Sequence, residues 1–269
     1  MYIYVLGTDK RTAYCAAYLK KTYGKDVILC DRKECIYRPD VLVLPYVSFK
    51  NGSFLNTADI NPACEILDRA PRGSKLFAGM TYDGFEDECK QSEITLFDYF
   101  KNEELTRKNA DLTAEGAVAR VIKNTDSAIS GMKITVTGFG RVARSCARVF
   151  EALGASVTVM ARKRSAREDA QVCGYRAVDI NDSSALESAD VIINTVPSLV
   201  LAKDMLCTAK NCRYILDLAS APYGTDFEAA RSMGINAETA PGLPAECAPE
   251  TAGRFIAEYI ISELERGGE

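Results

Sequence analysis

The stretch from Lys133 to Arg164, KITVTGFGRVARSCARVFEALGASVTVMARKR, restricts the fold of this chain more than any other. A β-branched run around Ile134 and Val136 leads into Gly138-Phe139-Gly140-Arg141-Val142-Ala143. Apolar residues at Val142, Cys146, Val149, Phe150 and Leu153 then recur at helical spacing until Gly154, and Val157 and Val159 open a second strand. Strand, glycine turn, helix, strand is the opening unit of a sheet that binds a dinucleotide. In that reading Gly138 allows the tight turn, Gly140 leaves no Cβ against the pyrophosphate, and the small Ala143 lets the helix lie close on its strand. The helix start at Arg141 and Val142 offers N–H groups and a positive dipole end to the phosphates. The competing reading is an ordinary strand–turn–helix crossover without a ligand.

The tip of the second strand selects the nucleotide. An NAD site usually carries an acidic residue there for the ribose 2′-hydroxyl, whereas a 2′-phosphate calls for cations. Here the tip is Ala161-Arg162-Lys163-Arg164-Ser165, with no carboxylate before Glu168. A guanidinium fork donates two parallel hydrogen bonds to a phosphate. NADP is therefore the expected cofactor, held in part by Ala161, Arg162 and Lys163, and a solvated basic loop is the plain alternative.

The length of 269 residues suits two domains of ordinary size. With 47% hydrophobic and 26% charged residues the chain can bury full cores, and a net charge of −4 lacks the basic footprint of a nucleic-acid binder. The apolar start MYIYVLGTDKR breaks too soon for a signal sequence, and no apolar run approaches the roughly 20 residues of a membrane helix. Ten cysteines are scattered singly, with no C-x-x-C pair, and there is no histidine, so no metal site is expected. Reduced, packed cysteines fit a cytoplasmic protein, with Cys247 a possible exception. Without imidazole, acid–base work falls to carboxylates, Lys, Tyr, Cys or water.

Along the chain, the spacing predicts strands at Met1–Leu6, Val27–Cys30, Val41–Leu44, Lys75–Ala78 and Ile94–Phe97, with helices at Ala13–Tyr23 and Pro62–Arg69 and a loop over Asn51–Asn61. This is a small parallel α/β unit. Asp9 and Arg11 follow its first strand, where α/β ligands sit, and are candidate substrate residues. Glu103–Asp126 is strongly helical, and Asn109–Gly116 is read as forming or preceding the helix start, whose N-terminal end is expected to face an interdomain cleft. Thr113 and Gly116 are then substrate candidates, against the plain alternative of a linking helix with Thr113 buried and Glu115 exposed. Further strands end in Asn194-Thr195-Val196-Pro197 and in Asp217-Leu218-Ala219-Ser220. Thr195, Val196, Pro197, Ala219 and Ser220 are expected along the ribose and nicotinamide, beside Gly138, Phe139, Gly140 and Arg141. Ala240–Pro249 reads as a rigid closing loop that brings Gly242 and Pro244 to the substrate, and Thr251–Leu264 as a terminal helix.

The expected fold class is α/β: a Rossmann-type doubly wound parallel sheet plus a smaller flavodoxin-like α/β domain, joined by long helices. The expected boundaries are a first domain over 1–105 with a C-terminal helix 251–267 packing back on it, a linking helix 106–130, and an NADP-binding domain 131–250.

Several separate motifs resemble the family of dipicolinate synthase A subunits from spore-forming bacteria, over nearly the whole chain. Gly7-Thr8-Asp9-Lys10-Arg11 is similar to the family's G-G-D-x-R, and Thr113-Ala114-Glu115-Gly116 to P-T-x-E-G with Leu112 in place of proline. Gly138–Arg141 matches G-x-G-R, and Ile193–Ser198 matches I-N-T-x-P-S. Asp217–Ser220 with Gly224–Phe227 resembles D-L-A-S-x-P-G-G-T-D-F, with Tyr223 replacing a glycine. Pro241–Pro244 and Ala248–Gly253 resemble P-G-L-P-G and A-P-K-T-A-G, with Ala245 replacing a glycine and Glu250 a lysine. If that lysine serves the anionic substrate, this chain needs another cation or has a different affinity.

The resemblance implies oxidation of a hydroxy-tetrahydrodipicolinate of the lysine pathway to dipicolinate, with NADP⁺ accepting hydride, in the mother-cell cytoplasm during sporulation. It also implies a partner, the B subunit of dipicolinate synthase, similar to flavin-binding proteins. The other partner expectations are a small dicarboxylate substrate and a homo-oligomer, with no nucleic acid and no membrane. Because the ring gains aromaticity, orientation and charge complementarity matter more than a strong base. Asp217 or Glu115 is the candidate for proton handling. Rival readings are a 2-hydroxy-acid dehydrogenase, which generally uses a histidine this chain lacks, and an NADP(H)-sensing regulator of the flavoprotein-like partner.

Overall fold

The computed structural model describes residues 1–57 and 62–266, and the chain divides into two compact units. Unit one holds Met1–Asn109 and the C-terminal residues from Ala248; unit two is Ala110–Cys247.

Unit one runs β1 (Ile3–Leu6), α1 (Lys10–Tyr23), β2 (Val27–Cys30), β3 (Val41–Val43), a small hairpin of β4 (Phe49–Lys50) and β5 (Phe54–Leu55), α2 (Cys64–Leu67), β6 (Lys75–Ala78), α3 (Phe85–Gln91) and β7 (Thr95–Asp98). Its parallel sheet has the order β2-β1-β3-β6-β7, the flavodoxin-like arrangement. Ile3 of β1 stands in register with Val27 on one side and Val41 on the other. Side chains alternate across the sheet, so Ile3 and Val5 join one core while Tyr4 and Leu6 join another. Burial on both faces explains why these strands read as continuous apolar runs. The last helix, α11 (Pro249–Arg266), packs along α1 and puts Ile256, Ala257 and Ile260 into the first of these cores. Position 267 of the expected terminal helix, and 58–61 of the expected loop, lie outside the described residues.

Helix α4 (Glu103–Thr125) spans the stretch read as helical and starts well before Asn109–Gly116. Asn102 caps it, its Oδ1 accepting from Leu105 N at 2.8 Å. Thr113–Gly116 therefore lie in mid-helix, where backbone N–H groups are already used by the preceding turn. Of the expected linking helix 106–130, residues up to Thr125 lie in α4 and 126–130 follow it without helical structure; α4 residues up to Asn109 belong to unit one and the rest to unit two.

Unit two runs β8 (Lys133–Thr137), α5 (Arg141–Ala152), β9 (Ser156–Ala161), α6 (Arg164–Val172), β10 (Arg176–Asp179), α7 (Ser184–Glu187), β11 (Val191–Asn194), α8 (Lys203–Leu206), β12 (Tyr214–Asp217), α9 (Phe227–Ser232), β13 (Asn236–Thr239) and α10 (Leu243–Cys247). The six strands are parallel in the order β10-β9-β8-β11-β12-β13. This is the doubly wound order, and it reverses direction between β8 and β11. One face packs Ile134, Val136, Ile193 and Leu216 against Phe150 of α5 and Ala117 and Val121 of α4. The other packs Ile192 and Ile215 against Leu186, Leu206 and Ala230. Helix α6 buries only Ala170, and β10 is a half-buried edge strand. Neither therefore carries an apolar period that the sequence could announce. The segment expected as a rigid closing loop is a turn followed by α10, whose Leu243 is fully buried.

Candidate functional site

In open α/β sheets the ligand crevice lies outside the carboxyl ends of the strands, where the strand order reverses. In unit two that point is the pair β8 and β11, and the glycine turn leaves β8 there. Gly138 has φ +84°, and a Cβ on it would lie 2.7 Å from Thr195 Oγ1 and 3.1 Å from Val196 Cγ2. Both the backbone angle and the packing demand glycine. Gly140 is different. It caps α5 with an ordinary φ of −79°, and nothing lies within 4 Å of where its Cβ would be. No part of the described chain fills that space, which fits a pyrophosphate held on the N–H groups of α5.

A cavity of about 350 Å³ opens beside the turn. Its lining brings together Gly138, Phe139, Gly140, Ala161, Arg162, Lys163 and Val196 of the expected cofactor set. Ala166, Ile180, Ser198 and Val200, which sequence reasoning missed, complete it. They come from α6, the end of β10 and the loop after β11, and only the fold draws such scattered small and apolar residues together. Arg141, Val142, Thr195, Pro197, Ala219 and Ser220 do not line it. Val142 packs toward the core, so only its backbone N–H can face a phosphate. Phe139 is held from behind: Arg144 stacks over its ring at 4.2 Å, donates Nε–H to its carbonyl at 3.1 Å and pairs with Asp169 at 2.6 Å.

The basic tip after β9 separates into two kinds of cation. Arg164 pairs with Glu168 at 2.8 Å, and Arg167 with Asp179 at 2.7 Å while also donating to the carbonyls of Ala161 and Arg162. The exposed side chains of Arg162 and Lys163 make no hydrogen bond or ion pair among the described residues. The nearby carboxylates are thus already matched, and two cations remain at the cavity wall.

The strand-end polar residues are tied to one another. Thr195 donates Oγ1–H to Thr137 O at 2.7 Å, so its hydroxyl braces the glycine turn. Asp217 requires a correction. It is fully buried, and its carboxylate accepts from Ala219 N (3.0 Å), Gly224 N (3.0 Å) and Thr225 Oγ1 (2.8 Å). A carboxylate so occupied anchors the 219–225 loop and is not placed to take a substrate proton. Ala219 is buried with it, while Pro197 and Ser220 are exposed.

The substrate candidates are also redistributed. Asp9 is the N-cap of α1: Oδ1 accepts from Thr12 N at 2.8 Å and Thr12 Oγ1 at 3.0 Å, and Oδ2 takes Arg11 Nη2 at 2.8 Å. Burial alone would raise its pKa, but the Arg11 charge and these hydrogen bonds outweigh that and hold the carboxyl below its usual range. Asp9 is therefore a helix cap and the counter-charge to Arg11. Arg11 is buried, gripped by Asp9 and stacked on Tyr46 at 5.5 Å, and Tyr46 in turn stacks on Tyr99 at 5.7 Å. It is a fixed cation just beyond the carboxyl end of β1.

Gly116 is a packing glycine, since a Cβ on it would lie 2.8 Å from Leu243 Cβ and 3.3 Å from Cys247 Sγ. With Thr113 in mid-helix, neither supplies the free N–H groups expected of a helix start. Glu115 is exposed on α4, and Pro244 is buried in α10, so Pro244 belongs to the interior and Gly242 to the exposed turn before it. Glu250 sits in the first turn of α11, where a negative charge suits the helix dipole. Cys247 has its thiol pKa raised by partial burial and by Glu246, so the nucleophilic thiolate is disfavoured. All ten cysteines are free thiols. Among the described residues no cluster could hold a metal ion, and no helix is long and apolar enough to cross a membrane.

A doubly wound sheet with a glycine turn at its switch point is the architecture of the dinucleotide-binding domains of dehydrogenases. Residues 103–211 match the family model for the D-isomer specific 2-hydroxyacid dehydrogenase, NAD binding domain. Over 232 residues the chain is 34% identical to the A subunit of dipicolinate synthase from Bacillus subtilis (strain 168), covering 84% of this chain and 77% of that protein. It is also similar to the crystal structures of the same dipicolinate synthase component from Bacillus halodurans (TM-score 0.83, 28% identity, 98% of this chain and 97% of that one) and from Bacillus subtilis (TM-score 0.84, 28% identity, 99% and 96%). The chain belongs to the family of dipicolinate synthase A subunits.

Proposed function

We propose that this protein is the A subunit of a dipicolinate synthase, oxidising a hydroxy-tetrahydrodipicolinate to dipicolinate with NADP⁺, alongside a flavoprotein-like B subunit in the cytoplasm of a sporulating mother cell. The observation that carries the cofactor choice is the pair Arg162 and Lys163, unmatched cations at the wall of the cavity that Gly138 and Gly140 open. Similarity to the dipicolinate synthase family over most of the chain supports the substrate.

When bound, the nicotinamide supplies the hydride acceptor. The chain's own residues provide the setting. The N–H groups at the start of α5 and the space over Gly140 take the pyrophosphate, and Arg162 and Lys163 take the 2′-phosphate. Arg11, pre-oriented by Asp9 and Tyr46, offers a fixed cation to a substrate carboxylate. The hydroxylated ring first loses water, and loss of a ring hydride to the nicotinamide and of a ring proton then yields the aromatic product. With no histidine and Asp217 occupied, the proton leaves to water or to an exposed carboxylate such as Glu115.

The test is absorbance at the dipicolinate band with the purified protein, NADP⁺ and the aldolase product of the lysine pathway, first without and then with the flavoprotein-like partner. Dipicolinate formation coupled to NADPH supports the proposal. Absence of NADP⁺ reduction in both mixtures would refute it and favour a nucleotide-sensing role.

A further inference from the structure

We propose that Asn194 and Thr137 are a positioning pair for the nucleotide. They form a buried amide–hydroxyl clamp, across the point where the strand order reverses, that holds the glycine turn and the opposite crevice wall as one unit. The proposal rests on the nicotinamide-nucleotide reading of this crevice, and does not depend on which small molecule is oxidised.

Thr137, Asn194 and Asp217 are the last residues of β8, β11 and β12, aligned across the sheet in register. All three are fully buried. The residues before them on these strands, Val136, Ile193 and Leu216, are apolar and equally buried. A row of buried polar groups costs desolvation unless each is bonded, so its placement at the strand ends needs a reason.

The bonds supply it. Asn194 Oδ1 accepts from Thr137 Oγ1 and from Val196 N at 3.1 Å, and Asn194 Nδ2 donates to Val196 O at 3.2 Å. The amide thereby fixes the backbone of the residue that lines the cavity. Thr137 Oγ1 also accepts from Thr195 N at 3.3 Å, and Thr137 O accepts from Thr195 Oγ1 at 2.7 Å. The residue immediately before Gly138 is thus bound to the wall loop through both its hydroxyl and its carbonyl. Gly138 itself packs on Thr195 and Val196. The far end of the wall is gripped separately: Gly224 O accepts from Val200 N and Leu201 N, and Asp217 holds Gly224 N. A Cβ on Gly224 would come within 2.5 Å of Asn194 Nδ2. Val196, Ser198 and Val200 line the cavity between these two grips. Phosphate turn and wall therefore hold their spacing without the ligand, which lowers the ordering cost of binding.

Thr135 provides the control. It is buried on the same strand, two residues earlier, and spends its hydroxyl on Ala185 O at 3.0 Å, away from the cavity. Thr137→Val and Thr135→Val each remove one buried hydroxyl while keeping shape. Calorimetric titration of the full chain with NADPH and with NADH reads the difference. Both variants should lose similar thermal stability. Thr137→Val alone should weaken both nucleotides, by about tenfold, with their ratio unchanged because Arg162 and Lys163 are untouched. Thr137→Ser, which keeps the hydroxyl, should restore affinity to within about threefold. Unchanged affinity in Thr137→Val, an equal loss in Thr135→Val, or no rescue by serine overturns the positioning role. If the unaltered protein binds neither nucleotide, the cofactor reading itself fails.

Discussion

Replacing Gly140 by alanine should separate nucleotide binding from stability. Its φ of −79° is open to any residue, and no atom lies within 4 Å of the new methyl. Lower entropy of the unfolded chain should stabilise by about 0.4–1 kcal/mol, while alanine is a poorer N-cap than glycine by a similar amount. The two nearly cancel, and the melting temperature should move by no more than about 3 °C. The methyl, however, stands where the pyrophosphate is expected. Losing one charge-assisted N–H contact at about 1.5–3 kcal/mol weakens NADPH about ten- to hundredfold. Gly138→Ala should behave in the opposite sense. A left-handed φ of +84° costs about 1–2 kcal/mol, and the 2.7 Å approach to Thr195 Oγ1 adds to it. That variant should melt lower by roughly 5–10 °C whether or not nucleotide is present. Scanning calorimetry and fluorescence titration of both variants check this. If Gly140→Ala binds NADPH like the unaltered chain, the space over Gly140 holds no phosphate and the placement of the cofactor is wrong.

Arg162→Ala combined with Lys163→Ala should weaken NADPH by about thirty- to a hundredfold and NADH by less than about threefold; an unchanged preference in fluorescence titration removes them from the 2′-phosphate. Arg11→Ala should raise the substrate KM far more than the cofactor Kd, and equal effects on both would take Arg11 out of the substrate site. Asp217→Ala strands three donors, so chemical denaturation should show a loss of about 3–5 kcal/mol. Full stability with abolished turnover would return Asp217 to the chemistry. Asp9 has a folded-state pKa below its unfolded value of about 3.9, so its contribution is present above that value and lost as pH falls through the folded one. Asp9→Asn should therefore flatten the acid limb of the stability profile, and an unaltered limb would assign the acid sensitivity elsewhere.

The nucleotide unit was legible in the sequence because its signals are local. A glycine turn between a β-branched run and a helical period encodes its own geometry, and a strand tip without a carboxylate encodes its charge. The same holds for the buried strands of unit one, whose apolar runs follow from burial on both faces. Motif residues were harder to place, because a motif records that a residue type is needed and not why. Gly116 reads like part of a binding turn, yet the need for it is the 2.8 Å approach of Leu243, far along the chain. Asp217 reads like an acid, yet three donors from its own and the following loop consume it. Asp9 and Arg11 read like two ligands and are one ion pair.

Sequence alone determined the strand–turn–helix cradle, the parallel α/β class and the cationic tip, since each depends on residues within one or two elements. Only the tertiary structure decided which cations remain unmatched at the cavity and that Thr137, Asn194 and Gly224 join turn to wall. Those are contacts across strands that neighbour one another in the sheet but not in the chain, and hydrophobic periodicity carries no information about them.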